Sequence, residues 1–392
     1  MIFDGHLALE EKIELRRAAM MRKQRMIYDQ PLRIGQLEFD ALECLERIFQ
    51  KNPTLPFVEV LELEGKTDSY DQVRIYSERT VDGYYKIFLS LNAINRINHY
   101  IEEIFGKPWD ELRIKVAREQ KGINYYCYEK SIYEFPEFEF FSCCKTNVKK
   151  FVSEMALWFI VLHEYAHIQN GHLDYIANMK NKGITVPLGT QQALELHADI
   201  TAASYLLDFL YDAEKYVGVK QIVVQNNGRD PGVAFCDDVA FTTIAAYLAL
   251  RCFLKADYWD EFTIGIHLGN RESHPLTELR MSVVFNVFLQ GIIRHFEGDP
   301  HLQSIAIPMV NKVEQFEEFY FKNKGHKDEW VKAIQYNPTQ LLRTESGKKY
   351  YHEIFENILA LNDLLEPYAS SLGRIEGEWC DYDTLPERLF WI

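Results

Sequence analysis

The sequence predicts an α+β fold that is mainly helical and carries one small β-sheet. Three observations lead there. Four long segments, 148–170, 190–211, 233–254 and 276–296, repeat their apolar residues at helical spacing. Residues 56–90 are strand-like and contain Asp82-Gly83, a strong hairpin signal. No internal repeat or low-complexity linker interrupts the chain, whose 392 residues suffice for one large or two modest cores.

The elements follow in order. Residues 1–55 form a charged N-terminal helical arm, in which Glu10 to Met26 is an exposed amphipathic helix. Its basic residues are balanced by acids, which favours a solvated face over a partner-binding one. In the β-rich stretch, Phe57–Leu63, Val73–Ser77 and Tyr84–Leu89 are strand-like. Asn92 follows as a helix N-cap. The segment 148–170 is apolar nearly all round, as a buried central helix must be. The segment 190–211 is rich in Ala, Leu and Ile. Segments 233–254 and 276–296 complete the helical set, with Asp237 and Asp238 expected as first-turn acids of the former. From 299 to 392 a C-terminal helical extension continues with many aromatics, among them Phe316, Phe319, Tyr320, Phe321, Tyr350, Tyr351 and Trp391.

The chemistry starts at the end of the central helix, where His163-Glu164-Tyr165-Ala166-His167 spells H-E-x-x-H. Residues four apart share a helix face, so His163 and His167 can reach one tetrahedral zinc. Glu164 lies about 100° round the helix, beside the metal, where it can take a proton from an activated water. A second motif, Glu195-Leu196-His197-Ala198-Asp199, lies in the next helical segment. Glu195 can be the third ligand that a catalytic zinc requires. Asp199, one turn on, can hold the outer nitrogen of a ligand histidine. His197 points to roughly the opposite side and is a poor ligand.

H-E-x-x-H followed by E-x-x-x-D on a later helix resembles the gluzincin zinc metallopeptidases. The form E-x-x-A-D, with Ser273-His274-Pro275 and then Arg280, resembles the HtpX-like and CAAX-prenyl-endopeptidase branch across roughly residues 150–285. The resemblance implies a zincin-like core over 56–298, with the sheet above the active-site helix and an edge strand able to pair with an extended peptide. It implies that His274 helps stabilise an oxyanion and that Arg280 braces the ligand or substrate carboxylate. Read without it, Ser273 caps a helix opened by Pro275. The pentad alone also resembles the Lit-type phage-exclusion peptidases, and no residue beyond it adds to that likeness.

The membrane members of the branch carry several spanning helices. This chain has no apolar stretch of about 18 residues free of charge, so a soluble relative is expected. His172 comes five residues after His167, a spacing wrong for the third histidine of a metzincin; Asn170-Gly171 marks a helix stop, and His172 is expected as a capping or loop residue.

Composition agrees with a cytoplasmic enzyme. The chain is 47% hydrophobic and 26% charged. Its start, Met1-Ile2-Phe3-Asp4, is unlike a signal peptide, and seven cysteines with no C-x-x-C argue against a disulfide scaffold or a second structural zinc. A net charge of −15 disfavours nucleic acid and anionic membranes as partners. The expected activity is zinc-dependent hydrolysis of a peptide bond in a protein or peptide substrate, with Zn2+ as cofactor. A regulatory partner could engage either terminal region. Two other classes stay open: a zinc hydrolase of a small amide, and a metal-binding sensor or scaffold.

Overall fold

The computed structural model describes residues 41, 44–49, 52, 55–56, 58–63, 75–90, 97, 140–211, 231–252, 274–275, 277–295 and 345–370. They form three strands and six long helices. In chain order these are β1 (Val58–Leu63), β2 (Tyr76–Arg79), β3 (Tyr85–Ser90), α1 (Phe140–Gln169), α2 (His172–Asn181), α3 (Leu188–Tyr211), α4 (Pro231–Cys252), α5 (Thr277–His295) and α6 (Glu345–Leu365). The architecture is α+β and mainly helical, as expected.

The sheet is mixed, in the order β1-β3-β2. β1 runs parallel to β3, pairing Val58 with Tyr85 through Leu63 with Ser90. β2 is antiparallel to β3, pairing Tyr76 with Phe88 and Arg79 with Tyr85. Alternation sends Val58, Val60, Ile87 and Leu89 into the core. The hairpin turn includes Asp82-Gly83, as anticipated: Gly83 has φ +83° and donates its N–H to Thr80 O at 2.9 Å. The expected strand Val73–Ser77 is displaced. It begins at Tyr76 and runs two residues past Ser77, because register is set by the partner strand: Tyr76 stacks on Phe88, ring centroids 4.8 Å apart.

α1 is the central helix. Val152, Met155, Trp158, Val161 and Leu162 are fully buried on it, and it packs against both α3 and α4. Trp158 meets Phe209 of α3 edge-to-face at 5.6 Å, and Tyr165 meets Phe49 at 5.6 Å. Burying each such side chain stabilises the fold by about 1.5–3 kcal/mol or more. α5 packs on α3 and α4, and α6 covers α3. Tyr351, Ile354, Ile358 and Leu361 of α6 join the same core as α1.

The ends of the elements are set locally. α1 stops because Gly171 takes φ +75°, a left-handed conformation that suits glycine. The Tyr368 backbone packs against that glycine, and Ser370 N–H donates to Gln169 O at 3.0 Å. α2 ends in a Schellman pair: Ile184 N–H to Met179 O at 2.9 Å, and Gly183 N–H to Lys180 O at 3.0 Å. α4 begins earlier than expected, at Pro231, so Asp237 and Asp238 fall beyond its first turn. Among the described residues no helix is long and apolar enough to cross a membrane. The expected helix Glu10–Met26, the Asn92 cap, Ser273, Phe316 to Phe321 and Trp391 lie outside the described residues.

Candidate metal centre

The end of α1 and the middle of α3 face each other, and this brings three donors together. His163 Nε2 lies 3.2 Å from His167 Nε2. Glu195 Oε2 is 3.4 Å from His163 Nε2, and Glu195 Oε1 is 3.6 Å from His167 Nε2. A tetrahedral zinc with bonds of about 2.0–2.1 Å holds its donors about 3.3 Å apart. The three side chains therefore already stand at the spacing a metal ion needs, and both histidines are buried. The donor set, two imidazoles and one carboxylate, is one that divalent zinc takes.

Asp199, one turn beyond Glu195, puts Oδ1 2.9 Å from His163 Nδ1. The contact is close but imperfectly aligned as a hydrogen bond. Asp199 is fully buried and clamped by Arg280 of α5: Nε donates to Oδ2 at 2.7 Å and Nη2 to Oδ1 at 2.9 Å. The resemblance implied that Arg280 braces a ligand or substrate carboxylate. Its two hydrogen bonds go to Asp199, and its Nη2 also lies 3.8 Å from Glu195 Oε2, within ion-pair range of that carboxylate.

His274, just before α5, puts Nε2 3.5 Å from Glu195 Oε2 with its side chain 60% exposed. It stands at the solvent edge of the three donors. Glu164 is buried and accepts hydrogen bonds from the hydroxyl and backbone N–H of Ser77 on β2. The sheet thus touches the site through its edge strand. Asp174 of α2 ties that helix to both hairpin strands, taking Arg79 Nη1 of β2 at 2.6 Å and the Tyr85 hydroxyl of β3 at 2.6 Å.

The electrostatics sort the groups. Burial pushes Glu164 upward, only partly opposed by His163 and Ser77. Burial also penalises charge on Glu195, but His167, His163 and Arg280 outweigh it and hold the carboxylate well below its usual range. Burial favours a neutral His163, yet the Asp199 and Glu195 carboxylates reverse this and raise it. At His167 burial wins and lowers it. Asp199 is lowered, because Arg280 overrides its desolvation.

His172 is not the loop or capping residue expected from the sequence. It opens α2 and is fully buried. Its Nδ1 lies 2.9 Å from His167 Nδ1, and its Nε2 lies 3.1 Å from His197 Nδ1. The left-handed Gly171 separates α2 from α1, and His172 at the start of α2 faces His167 and His197. His197 is not among the donors, in line with its position on the helix. Ser77 carries no signal in the sequence, since its partner is 87 residues away by numbering alone. His172 carried one, a third histidine close behind the pentad, but its spacing is wrong for the third histidine of a metzincin. The chain matches no protein-family model, and comparison with curated proteins and with solved structures finds no match.

Proposed function

We propose that this chain is a zinc-dependent metalloendopeptidase, of the gluzincin kind that its motifs resemble and working in the cytoplasm. The observation that carries the reading is the 3.2–3.6 Å spacing of the His163, His167 and Glu195 donor atoms beside a buried carboxylate, Glu164. Bound there, zinc supplies Lewis acidity to a scissile carbonyl and to a nucleophilic water. Glu164 accepts the proton of that water and returns it to the leaving amine. His274 donates from Nε2 to the oxygen on which negative charge develops. Asp199 and Arg280 act through His163 by fixing the orientation of its ring. The edge strand β2, whose Ser77 touches Glu164, supports a peptide substrate, because an extended chain can add to such an edge.

The test combines metal analysis with a cleavage assay on casein peptides read by mass spectrometry. The purified protein should carry about one zinc, as a three-ligand site predicts. His163→Ala and His167→Ala should lose it, and full zinc in either would overturn the metal site. Glu164→Gln should keep zinc and lose cleavage, because an amide cannot accept the water's proton. Cleavage at the wild-type rate by that variant would overturn the mechanism while leaving the metal site standing.

A further inference from the structure

Metal-ligating histidines usually give their outer N–H to a carboxylate, a backbone carbonyl or water. His163 comes close to that rule, with Asp199 Oδ1 2.9 Å from its outer nitrogen. His167 does not: its outer nitrogen, Nδ1, faces another imidazole, His172 Nδ1, at 2.9 Å. His172 Nε2 in turn faces His197 Nδ1 at 3.1 Å. His197 Nε2 lies 3.4 Å from the side-chain amide of Asn170, and that amide also meets Thr201 Oγ1 at 3.0 Å. All four residues are buried.

A neutral imidazole has one N–H and one lone pair, so the three rings can be linked in only two senses. In the first, the Asn170 NH2 donates to His197, His197 Nδ1–H donates to His172, and His172 Nδ1–H donates to His167. His167 then carries its proton on Nε2, facing His163 Nε2, and has no lone pair there for a metal. In the second, every link is reversed. His167 Nδ1–H donates to His172 Nδ1, His172 Nε2–H donates to His197 Nδ1, and His197 Nε2–H meets Asn170, whose amide turns its oxygen inward. Each ring keeps one proton in both senses, so reversal changes no net charge.

Resting on the metal-site reading above, we infer that His172 and His197 are positioning residues that hold His167 in its Nδ1–H tautomer, with Nε2 free for zinc. Loading the site and setting the sense of the chain from His167 to Asn170 are one event. Asn170 is the terminus that permits it, since a side-chain amide can present either a donor or an acceptor.

The experiment uses the full chain, with zinc alone as the probe. His172→Asn keeps an acceptor, Oδ1, where Nδ1 stands, whereas His172→Phe keeps the ring volume and removes the acceptor. Zinc affinity should fall about 10–100-fold in His172→Phe, the usual cost of losing an outer-shell partner, and clearly less in His172→Asn. A packing role predicts the opposite order, and that order would overturn the inference. In zinc-loaded wild-type protein labelled with 15N-histidine, two-bond proton–nitrogen spectra should show His172 and His197 protonated on Nε2. His172 protonated on Nδ1 would overturn the inference even if both variants failed to fold. Wild-type protein that takes up no zinc would overturn the metal site and this inference together. Wild-type protein that binds zinc no better than His172→Phe would overturn this inference alone.

Discussion

Arg280 clamps Asp199 with two parallel hydrogen bonds, 2.7 Å from Nε to Oδ2 and 2.9 Å from Nη2 to Oδ1, inside a site where both side chains are buried. The pair joins α5 to α3 and holds the carboxylate against His163. Breaking a buried pair by removing one partner costs about 3–5 kcal/mol. Asp199→Ala should lose roughly that much stability, read by denaturant unfolding of the metal-free protein, and should weaken zinc binding about 10–100-fold. Replacing both partners, Asp199→Leu with Arg280→Met, should recover part of the stability and none of the zinc affinity. Recovery of the affinity would show that Asp199 does not orient His163.

His274 is largely exposed yet lies 3.5 Å from Glu195 Oε2. His274→Ala should therefore leave folding and zinc content unchanged. It should lower turnover about 100–1,000-fold, the cost of one oxyanion donor, as measured by kcat on a peptide substrate. Unchanged kcat would remove the role drawn from the family resemblance.

Gly171 has φ +75°, and a Cβ there would lie 2.5 Å from the carbonyl carbon of Tyr368. The left-handed conformation alone costs a larger residue about 1–2 kcal/mol, and the Tyr368 backbone must also move. Gly171→Ala should lower the melting temperature and also weaken zinc binding, because the same turn aims His172 at His167. A variant with wild-type melting would mean that the segment after α6 does not hold this turn.

Tyr85 is pushed up from 10.0 to about 12, by burial first and then by its hydrogen bond and charge interaction with Asp174. The folded value lies above the unfolded one, so the stability from this contact is complete below pH 10 and is lost as pH rises toward 12. The melting-temperature gap between wild type and Tyr85→Phe should be constant from neutral pH to about 10 and narrow above it. A gap that widens with pH would reverse the assigned sign.

Much of this protein was legible in its sequence because the relevant signals are short-range. Helical periodicity marked α1, α3, α4 and α5 to within a few residues at most of their ends. The one larger miss is the start of α1, which lies at Phe140 rather than Val148. Four-residue spacing put His163 with His167, and Glu195 with Asp199, on shared faces, since one helical turn is enough to do so. What the sequence could not determine depends on elements meeting across long separations. Only the packing of α1 on α3 sets the three donors 3.2–3.6 Å apart. Only the sheet register brings Ser77 to Glu164. Only the left-handed turn at Gly171 converts His172 from an apparent loop residue into the partner of a candidate ligand. Periodicity says which face of an element is apolar; which neighbour that face meets, and which buried polar atoms then pair, is decided by three-dimensional packing and by the cost of leaving such atoms unpaired.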